Sequence, residues 1–154
     1  MISAINSRRR RPSWWTDADW ETVETANKGV FQAYSKAKIA ADECLTSVAY
    51  QRNSALDAVP FSAVVLRPGR LTDTEATGKV HLGKTAGTGS IPRADVADVA
   101  VSLLEQAQKG WIGGWVDLLS GQDDVEDAVR TWVSSGEDTI EGEDVKEIRK
   151  AAFN

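Results

Sequence analysis

The apolar residues of this chain switch repeatedly between strand-like and helix-like spacing, and that alternation limits its fold more than any other feature. Phe61-Ser62-Ala63-Val64-Val65-Leu66, stopped by Pro68-Gly69, has the β-branched content and length of a buried strand. Trp115-Val116-Asp117-Leu118-Leu119 reads as another, and Met1 to Ile5 as a shorter one. Between them, Phe31, Tyr34, Ala37, Lys38 (by its stem), Ala41, Leu45 and Val48 recur at three- and four-residue spacing, which predicts an amphipathic helix to about Gln51. Val96, Val99, Ala100, Leu103 and Leu104 make one stripe of a helix running from Pro92 to about Ala107, and a further helix spans Val125 to Val133. Strand, helix, strand, helix, strand, helix implies an α/β fold of parallel strands joined by crossover helices.

The remaining stretches are polar. Asn6 to Pro12 is Arg-rich, reads as loop and is expected to stay out of the core. Ser13 to Trp20 opens a helix that Thr16 or Asp17 can cap and Gly29 ends. Thr72 to Gly89 is a long connection with a short β segment at Lys79 to Leu82. After Gly136 the chain becomes an acidic tail with a final helix near Asp144 to Ala152.

The 154 residues carry 18 bases and 23 acids, for a net charge of −5. Residues 1–11 hold +4 and residues 120–154 hold −6, leaving −3 between them. An acidic chain with a short basic head argues against a nucleic-acid-binding domain. No apolar run reaches the ~20 residues of a membrane span, and no secretory signal opens the chain, so a cytoplasmic protein is expected. One cysteine, Cys44, excludes an intrachain disulfide framework, and His81 is the only histidine available to a triad or metal site.

Three motifs can carry chemistry. Gly78-Lys79-Val80-His81-Leu82-Gly83-Lys84-Thr85 matches the phosphate-loop pattern literally, but no buried strand precedes it and no helix can follow it, which favours a solvated turn region. Arg8 to Arg11 beside Trp14, Trp15 and Trp20 combines bases with stacking rings, as in single-strand nucleic-acid binding, although four bases on an acidic chain favour tryptophans folded back onto the domain. Tyr34 and Lys38 lie four residues apart, on one helix face with Cβ atoms about 5–6 Å apart. A cation there favours the phenolate of a group that ionises near pH 10 in water, as a general acid/base needs. The same spacing is equally that of an amphipathic helix with a half-buried tyrosine and a snorkelling lysine.

Met1-Ile2-Ser3-Ala4-Ile5, then Tyr34-Ser35-Lys36-Ala37-Lys38-Ile39-Ala40-Ala41-Asp42, then Val64-Val65-Leu66-Arg67-Pro68-Gly69-Arg70-Leu71-Thr72-Asp73, then Gly89-Ser90-Ile91-Pro92-Arg93-Ala94-Asp95-Val96-Ala97 resemble, in that order, the second half of the atypical short-chain dehydrogenase/reductase family, specifically its NAD(P)-binding, NmrA-like group. The resemblance covers about residues 1 to 133. It implies a doubly wound Rossmann sheet, an NAD(P) cofactor, Tyr34 as proton donor to a carbonyl, Lys38 tuning that tyrosine and holding the nicotinamide ribose, and Ser3 polarising the carbonyl. It also implies that the Pro68-Gly69 turn passes the nicotinamide. The family's G-x-x-G-x-x-G turn is absent, as is its ribose discriminator, and only Met1 and Ile2 precede Ser3.

The expectation is therefore a partial, C-terminal half of a doubly wound Rossmann-like domain over residues 1–135, with an acidic tail at 136–154: a truncated product, a fragmentary gene or a remnant. Two functions follow. One is the Tyr-Lys half of an NAD(P)-dependent oxidoreductase acting on a small-molecule carbonyl compound, binding cofactor poorly alone. The other is a non-enzymatic remnant or regulatory NAD(P)-binding module, so whether the chain is an enzyme stays open. Neither nucleic acid nor membrane is an expected partner, and no metal is implied. A truncated sheet leaves an uncovered edge, so the chain is expected to form a homo-oligomer through it or to be aggregation-prone.

Overall fold

Thr16 starts the first helix, α1 (Asp17–Lys28). Its hydroxyl accepts from the Asp19 amide while the Asp19 carboxylate accepts from the Thr16 amide, so two donors at the helix start are satisfied reciprocally. Gly29 ends the helix by donating its N–H to the Thr25 carbonyl. Thr16→Ala is expected to cost about 1 kcal/mol, read as a lower urea midpoint at unchanged slope. An unchanged midpoint would mean that the packing of Trp15 and Trp20, not the cap, fixes this helix.

The structure, a computed structural model, describes residues 1–55, 59–110 and 112–151. Helix α2 (Gln32–Ser54) follows α1, then strands β1 (Ala63–Pro68), β2 (Arg70–Thr72), β3 (Lys79–Gly83) and β4 (Ser90–Pro92). Helix α3 (Arg93–Lys109), strands β5 (Gly113–Ser120) and β6 (Asp123–Asp124), and helices α4 (Val125–Ser135) and α5 (Val145–Ala151) complete the order. The main sheet runs β1-β5-β3-β6, and β2 pairs with β4 in a separate parallel ribbon.

β1 and β5 are parallel, as the crossover pattern predicts. Residues 1–5 extend this parallel set: Ser3 N–H donates to Leu66 O at 2.7 Å, Leu66 N–H to Met1 O at 2.9 Å and Ile5 N–H to Pro68 O at 3.0 Å, although only Ile2 forms a ladder bridge, with Leu66. The expectation of an all-parallel sheet needs one correction. β3, the segment foreseen at residues 79–82, joins β5 antiparallel, and β6 joins β3 antiparallel, so the sheet is mixed.

Strand alternation sends residues to two faces. Leu66, Val116 and Leu118 pack with Val96, Val99, Leu103, Val129 and Trp132 under α3 and α4, forming the main core. Val65 and Trp115 point the other way and pack with Ile148, Leu45 and Ile140. Arg67 and Asp117 share that second face, are paired directly across β1 and β5, and are both fully buried.

That charge turns α2. The stripe Phe31, Tyr34 and Val48 was the apolar face by spacing, yet all three are exposed, and the residues turned inward are Ser35, Asp42, Glu43 and Ser47. The side of α2 that meets the sheet is polar because Arg67 needs a second acid there. The Arg-rich loop is likewise corrected: Ser7 and Arg8 are buried, not solvated. Beyond Gly136 the acidic segment packs on β5, with Thr139 N–H donating to Trp115 O and the Asp138 carboxylate accepting from the Trp115 amide.

Candidate active site

Residues 1–5 and β1 end side by side, and ligand clefts in open α/β sheets form at the carboxyl ends of the parallel strands. A cleft of about 690 Å³ lies there. Its floor is residues 4–6 with Pro68 and Gly69, and its sides are α1, the start of α2 with Phe31 and Tyr34, and the β2/β4 ribbon. A Cβ on Gly69 would meet Leu119 Cδ2 at 2.4 Å and Gly89 O at 2.7 Å, so glycine is required for the close approach that forms this floor.

Tyr34 lines the cleft with its side of the ring exposed, and Phe31 meets it edge-on at 6.5 Å between centroids. The Lys38 ammonium is 5.7 Å from the centre of the Tyr34 ring and donates to Ile2 O at 3.1 Å, tying α2 to the first strand. Pro68 and Gly69 share the cleft with Tyr34. Ser3 is placed differently: it is buried, its hydroxyl donates to Asp42 Oδ2 at 2.8 Å and lies 3.0 Å from Ser7 Oγ, and it is not among the residues lining the cleft.

An amide clasp fixes the start of α2 beside Tyr34. Asn6 Nδ2 donates to Asn27 Oδ1 at 2.9 Å, Asn27 Nδ2 donates back to Asn6 O at 2.8 Å, and Ser35 Oγ donates to Asn27 Oδ1 at 2.6 Å. Sequence spacing gave no sign of it, because the three residues come from three separate elements.

Beneath the floor is a buried ionic network. Arg67 Nε donates to Asp117 Oδ1 at 3.0 Å, Arg67 Nη1 reaches Asp42 Oδ2 at 3.4 Å, and Arg67 Nη2 donates to Ile5 O at 3.0 Å. Arg8 Nη2 donates to Asp117 Oδ2 at 3.0 Å and to Thr139 O at 2.7 Å. Burial pushes the Asp42 carboxyl above its ordinary range, against hydrogen bonds from Ser3 and Ser7 and the charge of Arg67. Burial also brings the Arg67 guanidinium down to about 10 despite Asp117 and Asp42. The network fixes the strand ends from below, which holds residues 4–6 and 68–69 in register.

The phosphate-loop lookalike is strand β3 and the turn after it. Lys84 Nζ bonds Glu141 Oε2 at 2.5 Å, and no helix opens at Thr85. Thr85 is buried rather than solvated, because Trp14 and Trp15 both donate their indole N–H to its carbonyl at 3.1 and 3.0 Å. The tryptophans thus fold back onto the domain, with Arg8 5.3 and 5.2 Å from their rings. Among the described residues no group of three potential ligands could hold a metal ion, and no helix is long and apolar enough to cross a membrane.

The cleft suits one end of a dinucleotide. A phenol, a nearby ammonium and an apolar floor fit a nicotinamide and its ribose. Nothing among the described residues forms the glycine turn between strand and helix that a pyrophosphate needs. At the start of α3 the Asp95 carboxylate, which accepts from the Thr77 and Gly78 amides at 2.9 to 3.1 Å, places a negative charge where a phosphate would have to sit.

Comparison with known proteins agrees with this geometry. A family described as NAD(P)H-binding matches residues 1–107. UPF0659 protein C216.03 of Schizosaccharomyces pombe is 31% identical over 140 residues, 89% of this chain and 52% of that protein. The oxidoreductase ylbE of Lactococcus lactis superposes with a TM-score of 0.54 at 23% identity, over 86% of this chain and 50% of its own. A putative NAD-dependent epimerase/dehydratase of Bacillus halodurans does so with a TM-score of 0.54 at 25% identity, over 85% and 50%. The chain spans about half the length of these relatives. With a Rossmann-like architecture, a cleft at the strand ends and a family match over more than two thirds of its residues, the chain belongs to the NAD(P)H-binding family.

Proposed function

We propose that this chain is the tyrosine-bearing half of an NAD(P)-dependent oxidoreductase that reduces a small-molecule carbonyl compound. The observation that carries the reading is the meeting of Tyr34, Pro68 and Gly69 in one cleft, with Lys38 beside the Tyr34 ring. The bound dihydronicotinamide would supply a hydride to the carbonyl carbon. Tyr34 Oη gives its proton to the carbonyl oxygen, so the C=O π bond is replaced by C–H and O–H bonds. Lys38, 5.7 Å from the centre of the Tyr34 ring, places a positive charge beside that residue. Phe31 packs edge-on against the Tyr34 ring and forms the apolar side of the cleft next to it.

The glycine-motif half that would hold the pyrophosphate has a place to dock. The outer edge of residues 1–5 has no strand beside it among the described residues, and Met1 and Ile2 are about half exposed. An apolar cavity of about 400 Å³ adjoins them, lined by Val64, Leu66, Leu103, Leu104 and Ile112. Without that half, the same edge would pair with a second copy of the chain.

Calorimetric titration tests the division of labour. The chain alone is expected to bind NADH and NADPH more weakly than about 10 μM, that is, with less than roughly 7 kcal/mol. Joined in one polypeptide to a family glycine-motif half, it is expected to bind cofactor tightly and to oxidise NAD(P)H with a carbonyl acceptor. Tight binding by the chain alone would contradict the proposal. One observation favours a second reading, a regulatory NAD(P)-binding module: the Ser3 hydroxyl is occupied by Asp42 and Ser7 rather than turned to the cleft. Tight cofactor binding by the joined protein, with no turnover on any carbonyl acceptor, would decide for that reading.

A further inference from the structure

The chain has ten arginines. Seven are paired with carboxylates. Arg52 and Arg149 lie over the rings of Phe61 and Tyr50. Arg70 alone has neither an acid nor a ring among the described residues, although the chain is acidic overall and carboxylates are plentiful. It is also, among the described residues, the one charged side chain lining the Tyr34 cleft.

Its position explains both facts. Arg70 follows Gly69 directly and opens β2, so the close approach of Gly69 to Leu119 and Gly89 sets where its side chain leaves the backbone. Its exposed side chain shares the cleft wall with Phe31, Leu71 and Val23, which bring no charge. The nearest acid in sequence, Asp73, is held by Arg93 at 2.8 Å. An unpaired guanidinium in a cleft with no other charged side chain among the described residues is a site of anion complementarity, because a bidentate carboxylate or phosphate contact neutralises a charge that no protein acid there balances.

We infer that Arg70 determines specificity in this cleft, and that its substrate is an apolar carbonyl compound carrying a terminal anionic group, a carboxylate or phosphate. The inference rests on the oxidoreductase reading for the carbonyl and on Arg70 for the anion. The apolar body lies along Phe31 and Leu71, the carbonyl faces Tyr34, and the anion pairs with Arg70. The same guanidinium could instead meet the cofactor's pyrophosphate, and the two sources differ in whether an apolar body is needed.

Ligand-observed NMR on the whole 154-residue chain separates them, with 3-phenylpropionate, its neutral amide, acetate and inorganic pyrophosphate as probes. The carboxylate is expected to bind about tenfold more tightly than the amide, and more tightly than acetate or pyrophosphate. Arg70→Gln is expected to remove the preference over the amide, while Arg70→Lys retains part of it. Both variants change an exposed side chain and are expected to keep the fold. Equal binding of acid and amide, or a preference that survives Arg70→Gln, would overturn the inference. Pyrophosphate binding more tightly than phenylpropionate, and lost in Arg70→Gln, would overturn it in favour of the cofactor. Binding requires no hydride transfer, so an Arg70-dependent preference in a protein whose joined form reduces nothing would overturn the oxidoreductase reading and leave the anion site standing. Conversely, a joined form that reduces neutral and anionic carbonyl compounds equally would keep that reading and overturn this one.

Discussion

Tyr34→Phe, in the chain joined to a glycine-motif half, is expected to lower kcat by about 10²–10⁴-fold while leaving the dissociation constant for NAD(P)H within about twofold. Phe keeps the ring that meets Phe31 edge-on and lies beside Lys38, so cleft shape and helix packing are preserved. What disappears is one hydroxyl proton. If that proton is the one delivered to the carbonyl oxygen, the transition state loses it and the ground state loses almost nothing, so kcat falls and cofactor affinity does not. Lys38→Ala differs in kind, because its ammonium both lies beside the ring and ties α2 to Ile2 O. It is expected to weaken cofactor binding and turnover together. Turnover within threefold of the parent after Tyr34→Phe would remove Tyr34 from the chemistry and require another proton donor.

Local rules made the element ends legible. Thr16 and Gly29 bound α1 where a capping residue and a glycine predicted, and Gly136, in the left-handed region at φ 67°, follows α4. These signals are short-range, so a single sequence contains them. The orientation of α2 was not legible by the same means. Counting apolar residues at helical spacing put Phe31, Tyr34 and Val48 inward, whereas the packed side carries Asp42, Glu43 and Ser47. That choice is made by a residue far along the chain, Arg67, which needs Asp42 opposite it. The signal was nevertheless present: Arg67 and Asp117 each interrupt an apolar strand, and a charge inside a buried strand requires a partner. Read as a pair, they would have aligned β1 with β5 and asked α2 for a second acid. The Arg8 to Arg11 run misled for a related reason, since four adjacent arginines look solvated although Arg8 is drawn in by Asp117.

The buried network is therefore expected to be the most sensitive part of the fold. Arg67→Met keeps most of the aliphatic stem but takes from Asp42 its ion-pair partner, leaving only the weaker influence of Lys38 and the Met1 amino group, while Asp117 retains Arg8 and Thr139. It also removes the donor to Ile5 O and the guanidinium 4.4 Å from the Trp115 ring. Breaking a buried pair from one side costs about 3–5 kcal/mol, against a total of roughly 5–15 kcal/mol for a domain, so the urea midpoint should fall steeply or the transition vanish. The sign with pH follows from Asp42. Burial already raises its folded-state pKa above the unfolded value, and losing Arg67 raises it further, so the folded state takes up a proton more readily than the unfolded chain. The deficit relative to the parent is then complete above the folded-state pKa and shrinks as pH falls through it, because a protonated Asp42 needs no cation. Asp42→Asn added to Arg67→Met should recover part of the loss at pH 7 and abolish its pH dependence, since the amide oxygen still accepts from Ser3 and Ser7 without carrying charge. A loss below about 1 kcal/mol that did not vary with pH would mean that water reaches Asp42 once Arg67 is gone, and that the strand ends beneath Tyr34 are held by backbone pairing alone.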